Sequence, residues 1–118
     1  MKLRCLLTLS LVILASACGA SGETIYVDDD STGANDGTSW TDAYVHLQDA
    51  LAHANSSEKP VEIRVAQGIY TPDEGGGNTP GDREATFRLI NDVTLAGGYA
   101  GNAEPDPNAR NTELYETI

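Results

Sequence analysis

The stretch that decides the fold is residues 61–65, Val-Glu-Ile-Arg-Val, in which apolar and charged residues alternate without a break. Successive side chains of a β-strand point to opposite faces, so Val61, Ile63 and Val65 are predicted to share one face. The charged residues between them then face solvent. This alternation is typical of a half-buried strand, and the rest of the chain is interpreted outward from it.

Further strands are predicted on both sides of this one. Residues 24–27 are rich in β-branched and aromatic types and precede a dense run of turn formers at 28–37. The alternation returns at residues 87–89 and 93–95. Residues 71–85 combine glycine, proline and acidic side chains, a composition that predicts a surface loop rather than a regular element.

An amphipathic helix is predicted over residues 40–54, between the first two strands. Its apolar positions recur at helical spacing and fall within an arc of about 120°, and they are Trp40, Ala43, Tyr44, Leu47, Ala50, Leu51 and Ala54. Ser39 or Thr41 can cap its start, and the polar residues 55–57 supply a stop. The helix is therefore expected to bury one face.

The spacing of the predicted strands indicates a repeat. Ile63 precedes Phe87 by 24 residues, and Leu95 precedes Ile118 by 23. Short strands that recur at such an interval are typical of a solenoid, so an all-β solenoid is the expected fold class. A solenoid needs about three repeats and a polar cap, and this sequence stops at Ile118 inside a strand-like segment. We therefore expect that the chain is truncated at its C-terminus.

Five segments carry a resemblance to a known family: residues 25–30 (Ile-Tyr-Val-Asp-Asp-Asp), 33–40 (Gly-Ala-Asn-Asp-Gly-Thr-Ser-Trp), 47–51 (Leu-Gln-Asp-Ala-Leu), 65–72 (Val-Ala-Gln-Gly-Ile-Tyr-Thr-Pro) and 93–99 (Val-Thr-Leu-Ala-Gly-Gly-Tyr). Together they resemble the opening of bacterial secreted right-handed parallel β-helix proteins, the pectate-lyase-like superfamily. The resemblance implies that residues 21–118 form the first coils of a right-handed parallel β-helix, with an N-terminal amphipathic α-helix as its cap.

The resemblance also implies a function for the complete protein. Members of the superfamily bind or cleave polysaccharide, as polysaccharide lyases or glycoside hydrolases, and carry their functional residues on later coils. The present segment is therefore not expected to be catalytic. Two alternatives stay open: a non-enzymatic adhesin or display protein at the cell surface, and a small independent acidic binding domain.

Residues 1–20 are predicted to be a secretory signal peptide. Lys2 and Arg4 precede an apolar run at 6–14 and then small residues, which gives cleavage near Ala17 or Ala20. Residues 15–19 also resemble a loose bacterial lipobox, so a lipid anchor at Cys18 is the alternative. The apolar run is shorter than the roughly 20 residues of a transmembrane helix. The expected location is secreted or in the cell envelope.

The charge of the chain excludes one class of partner, and the positions of its cysteines exclude disulfides and thiolate metal sites. The chain has 7 Lys and Arg against 18 Asp and Glu, a formal charge of −11. Binding to nucleic acid needs clustered cations that replace counterions, so nucleic acid is excluded as a partner. Cys5 and Cys18 both lie in or beside the signal peptide, so neither a disulfide nor a thiolate metal site is expected after it.

One stretch suggests calcium. Five residues match positions 1, 3, 5, 6 and 9 of an EF-hand-like loop, namely Asp28, Asp30, Thr32, Gly33 and Asp36. Position 12 is Ser39 instead of a bidentate glutamate, so a solvated turn stabilised by Asx hydrogen bonds is favoured. No cofactor is predicted, with calcium as the alternative.

The cationic side chains on predicted strands are Arg64 and Arg88, at equivalent positions of the 24-residue repeat. They would contact an acidic glycan, or Arg64 would pair with Glu62, and the pairing is favoured. His46 and His53 each follow an aspartate by four residues and are predicted to be surface residues.

Trp40 is predicted to pack against the core rather than to stack on a sugar. No nucleophile and base are recognisable as a pair. We therefore assign no catalytic, cofactor-binding or metal-binding residue from the sequence.

Overall fold

The structure is a computed structural model that describes residues 22–118 of the 118-residue chain. The predicted signal peptide and the predicted anchor at Cys18 lie outside the described residues. Four regular elements follow in order: β1 (Glu23–Val27), α1 (Leu47–Ser56), β2 (Val61–Ala66) and β3 (Val93–Tyr99). In this part of the chain no helix has the length and apolar character needed to cross a membrane.

The three strands form one open parallel sheet in the order β1-β2-β3. The register places Ile25 beside Ile63 and Ile63 beside Leu95. Parallel neighbours need a crossover connection, which α1 supplies between β1 and β2 and an irregular loop supplies between β2 and β3. The carboxyl ends of all three strands therefore lie at the same edge of the sheet.

The core lies between one face of the sheet and α1. The predicted alternation at 61–65 is confirmed, because Val61, Ile63 and Val65 are buried and the residues between them are half-buried. The core cluster comes mainly from β1, α1 and β2, and its buried residues are Ile25, Val27, Leu47, Ala50, Leu51, Ala54, Val61, Ile63, Val65 and Tyr70. Burial of these apolar side chains is the main stabilising contribution to the fold.

The predicted all-β solenoid is wrong. Residues 22–118 form a single three-stranded sheet and one helix, whereas a right-handed parallel β-helix needs further sheets around its coils. The 24-residue spacing misleads because Phe87 and Leu89 lie outside any strand. The strand partner of Ile63 is Leu95 instead, and the intervals along the chain are unequal.

The predicted helix is present, but it begins at a later residue than the sequence predicts. Tyr44 is bonded to the outer edge of β1: its N–H donates to Tyr26 O at 2.9 Å, and its carbonyl accepts from Asp28 N at 2.8 Å. Residues that bond to a strand cannot also form the first helical turn. The helix therefore begins at Leu47, and its predicted polar end is confirmed at Ser56.

The long connection between β2 and β3 contains no helix or strand, as predicted for residues 71–85. Gly97 and Gly98 both lie within β3. Gly98 has φ +82° next to the register shift between β2 and β3, and such a positive φ is what a glycine in a β-bulge provides.

Candidate functional site

Three consecutive carboxylates follow β1 at the carboxyl edge of the sheet. Asp28, Asp29 and Asp30 each offer an oxygen atom, and these atoms lie within 4.8 Å of one another. Carboxylate oxygens are the ligands that hard divalent cations prefer, so this triad could bind a metal ion. Of the five residues that match an EF-hand-like loop in the sequence, only Asp28 and Asp30 belong to this triad.

Asp28 joins two of the loops at this edge. It is only 1% exposed. Its Oδ1 accepts the N–H of Asp30 at 2.9 Å, and its Oδ2 accepts the N–H of Asn102 at 2.6 Å. Asn102 follows β3, so a single buried carboxylate connects the loop after β1 to the loop after β3.

The surroundings of the neighbouring Asp29 carboxylate destabilise its charged form. Burial raises its pKa, the N–H of Ile69 lowers it in part, and the charges of Asp30 and Asp28 raise it again. The Ile69 N–H lies 3.3 Å from Oδ2. The triad therefore contains one carboxylate whose charged form the fold disfavours.

Tyr70 connects the ends of β1 and β2. Its hydroxyl donates to Ala66 O at 3.0 Å and accepts the N–H of Asp29 at 3.2 Å. Burial raises the pKa of Tyr70 far above its ordinary value, so this hydroxyl stays protonated and acts as a structural hydrogen bond.

The turn interpretation of residues 28–37 is correct. Asp36 lies apart from the triad, and its Oδ1 accepts the N–H of Thr38 at 3.1 Å and the Thr38 hydroxyl at 2.7 Å. These bonds lower the pKa of Asp36. Asp28 and Asp36 thus each form an Asx turn with the residue two positions later, although Asp28 is buried rather than solvated.

A wide cleft beside the triad is strongly acidic. Its volume is ≈ 580 Å³, and its charged lining residues are Asp29, Asp30, Glu104, Glu113 and Glu116. No lysine or arginine belongs to the lining that the described residues provide. The negative potential of this edge repels anions.

A second cleft, here called the helix–loop cleft, lies between α1 and residues 76–90. Its volume is ≈ 500 Å³, and its lining includes apolar side chains (Leu51, Ala52, Ile90), amides (Gln48, Asn55, Asn78) and charged groups (Asp82, Glu84, Arg88). Gln48 is 8% exposed and donates from Nε2 to Pro72 O at 2.7 Å and to Thr86 O at 2.9 Å. This one side chain therefore holds the loop at residues 72–86 to the helix through the carbonyls at either end of it, those of Pro72 and Thr86.

The opposite, outward face of the sheet carries the outer-face cluster, which comprises Tyr26, Trp40, Arg64, Tyr99 and Arg110. The ring of Trp40 lies 4.9 Å from that of Tyr26 and 5.6 Å from that of Tyr99, between centroids. The Cζ atoms of Arg64 and Arg110 lie 5.6 Å and 5.5 Å from the Tyr99 centroid. Arginine over an aromatic ring is a favourable cation–π arrangement.

The sequence predictions for this cluster are partly correct. Trp40 is a packing residue, 7% exposed, with Nε1 donating to Asn108 Oδ1 at 2.8 Å, but it packs on the outward face of the sheet and not on the helix. Arg64 pairs with Glu62 at 3.2 Å, as favoured. The equivalence of Arg64 and Arg88 is wrong, because Arg88 is exposed and outside any strand.

His53 forms a contact that the sequence does not reveal. Its Nε2 lies 2.9 Å from Glu23 Oε2, and its Nδ1 lies 3.0 Å from the hydroxyl of Tyr44. His53, predicted to be a surface residue, has a side chain that is 26% exposed and held by these two contacts, whereas the side chain of His46 is 39% exposed and lies 4.0 Å from Glu74. Glu23 is 30 residues earlier in the chain, so no local pattern indicates the pairing.

A hydroxyl, an imidazole and a carboxylate in this order resemble the parts of a nucleophilic site. Here, however, burial raises the pKa of Tyr44, and the carboxylates of Asp49, Asp36 and Glu23 raise it further. A nucleophile is activated by an adjacent base or by a lowered pKa, and Tyr44 has the adjacent imidazole without the lowered pKa. The array connects Glu23 of β1 to His53 of α1 and to Tyr44 before the helix.

No family model matches this chain, and neither the curated proteins nor the solved structures include a protein with a significant match to it. Among the sites described above, the helix–loop cleft offers the widest range of chemical groups.

Proposed function

We propose that this protein is a non-catalytic, extracytoplasmic binding domain whose helix–loop cleft holds a saccharide unit. The observation that carries the proposal is the composition of the cleft, which combines an apolar wall with amide, carboxylate and guanidinium groups. The predicted signal peptide supports the extracytoplasmic location.

The size and the chemistry of the cleft fit a sugar ring. Ligand sites typically have volumes of about 300–1,000 Å³, and this cleft has ≈ 500 Å³. A pyranose presents C–H groups that can pack on Leu51, Ala52 and Ile90. Its hydroxyl groups both donate and accept, and the cleft offers acceptors on Asp82 and Glu84 and donors on Arg88.

The loop over the cleft is anchored, which favours binding. Besides the two bonds from Gln48, the N–H of Gly76 donates to Asp49 Oδ1 at 2.8 Å, and the N–H of Gly81 donates to Asp73 Oδ2 at 2.7 Å. Long irregular loops in small domains often serve binding. A loop held to a helix by side-chain bonds has less conformational entropy to lose when a ligand binds.

The test is calorimetric titration of the purified chain with neutral oligosaccharides, namely cellohexaose, maltohexaose and xylohexaose. At least one is expected to bind. Arg88→Gln and Asn55→Ala should each weaken that binding roughly tenfold, the effect of losing about 1.4 kcal/mol of hydrogen bonding. Arg83→Gln is the matched control, because Arg83 is exposed in the same loop but does not line the cleft.

Two results would contradict the proposal. One is the absence of binding to all three oligosaccharides. The other is an affinity that is the same for Arg88→Gln and Asn55→Ala as for Arg83→Gln, since the ligand would then occupy another surface.

A further inference from the structure

The sheet has two edges, and the chain covers them unequally. At the edge of β1, Tyr26 donates its N–H to Gly37 O at 3.0 Å and accepts the N–H of Tyr44 at 2.9 Å. At the edge of β3, the described residues cover the carboxyl end, where the N–H of Asn111 donates to Gly98 O at 2.9 Å. The first half of β3 is left as an open edge.

The open edge presents free peptide groups. The carbonyl of Asp92 accepts an N–H group of β2 at 3.1 Å. Because alternate residues of a parallel strand bond to the same neighbour, Thr94 also bonds to β2, whereas Val93 and Leu95 direct their peptide groups away from it. The N–H of Val93 donates to Ile90 O at 3.3 Å. Within residues 22–118, the carbonyl of Val93 and the N–H and carbonyl of Leu95 have no hydrogen-bond partner.

The same stretch leaves part of the apolar face of the sheet uncovered. Leu95 lies beside Ile63 on the inner face, but Ile63 is fully buried and Leu95 is 41% exposed. The difference arises because α1 packs on β1 and β2. No charged residue belongs to β3. An edge with free peptide groups and an exposed apolar side chain is a surface on which another strand can pair.

We propose that β3 is the interface of a symmetric homodimer, in which two copies pair their open edges as antiparallel strands around Thr94. The N–H of Leu95 then donates to the carbonyl of the partner's Val93, and the two-fold axis repeats this bond. Leu95 packs against the partner's Val93 on the inner face, and the two Thr94 side chains lie directly opposite each other on the outer face. This interface is separate from the helix–loop cleft, and neither proposal rests on the other.

The charges at the ends of the open edge are complementary in this pairing. Arg110 is exposed, and its Nε donates to Gly97 O at 2.8 Å, which places it at the carboxyl end of the open edge. Antiparallel pairing brings the partner's Asp92, which is also exposed, to the same end. One cation therefore meets one carboxylate at each end of the interface. Because a two-fold pairing uses the open edge of both copies, assembly stops at the dimer.

The test is sedimentation equilibrium of the purified chain in sodium chloride, which screens the repulsion between two acidic copies. Two short strands bury less than the roughly 1,600 Å² of a standard interface, so the measurement extends to about 0.5 mM protein. We expect a monomer–dimer equilibrium. Thr94→Lys should weaken it roughly fivefold, because two like charges then lie opposite each other. Thr79→Lys is the matched control, because Thr79 is exposed in the loop between β2 and β3 and the charge changes equally.

A cross-link tests the register of the pairing. Thr94→Cys, in a chain that also carries Cys5→Ser and Cys18→Ser, should form a disulfide between two copies under mild oxidation. Opposite residues of this kind have Cα atoms about 4.5 Å apart, a distance that a disulfide spans. Thr79→Cys in the same background is the control. The proposal is overturned if the parent chain stays monomeric at every concentration, if Thr94→Lys associates as Thr79→Lys does, or if Thr94→Cys cross-links no faster than Thr79→Cys.

Discussion

Replacing Asp28 with alanine tests whether one buried carboxylate holds the carboxyl edge of the sheet together. The side chain is 1% exposed and accepts two backbone N–H groups, from Asp30 and Asn102. A hydrogen bond to a charged group contributes about 1.5–3 kcal/mol. Two such bonds give roughly 3–6 kcal/mol, and water that enters the vacated space recovers part of this. We therefore expect the free energy of unfolding to fall by about 3 kcal/mol, which is a large fraction of the stability of a small domain.

The measurement is urea unfolding of the full chain, followed by Trp40 fluorescence and by far-ultraviolet circular dichroism. Asp30→Ala is the matched control, because Asp30 is the adjacent aspartate but is exposed. An exposed substitution of this kind changes stability by about 0.5 kcal/mol or less. If Asp28→Ala and Asp30→Ala agree within about 0.5 kcal/mol, the connection between the loops after β1 and β3 does not stabilise the fold.

Asp29→Asn should raise the melting temperature at pH 7 and leave it unchanged near pH 3. A raised pKa in the folded state gives stability that is present below the unfolded pKa and is lost as pH rises through the folded pKa, and asparagine avoids that loss. Melting curves over pH 3–7 check this, and a benefit that persists at pH 3 would point to another cause. Gly37→Ala should destabilise more than Gly77→Ala in urea unfolding: both glycines have positive φ, but a Cβ on Gly37 would lie 2.6 Å from the Tyr44 ring, whereas Gly77 has open space. Strain alone costs about 1–2 kcal/mol, so equal losses would contradict the contact. Tyr44→Phe should cost about 1 kcal/mol by removing the bond to His53, and an unchanged urea midpoint would show that the bond is not formed in solution.

The sequence predicts the elements of this fold better than their arrangement. The strands at Ile25 and Ile63 and the buried face of α1 follow from period and residue type, which are local properties. The solenoid prediction fails because residues 87–89 alternate as a strand does but lie outside the sheet. Gln48 binds the carbonyl of Thr86 instead, and this contact across the fold leaves Phe87 outside the sheet.

In the candidate sites, too, contacts between neighbouring residues are predictable and contacts between distant residues are not. The Asx turn at Asp28 is predictable, since aspartate bonds to the backbone two residues later. The bond from Asp28 to Asn102 and the contact of Arg64 with the Tyr99 ring are not predictable, because they join residues far apart in the chain. Only the register of β3 brings these partners together.

The parallel register has a consequence for how the chain folds. Ile25 pairs with Ile63 and Ile63 with Leu95, so every strand pairing closes a loop of more than thirty residues. Helix α1 can form locally within microseconds, but pairings over such distances raise the contact order and slow folding. Both pairings also share β2, the central strand. During synthesis β1 must therefore wait until Ala66 has emerged before it can pair with β2, and β3 can join β2 only after that.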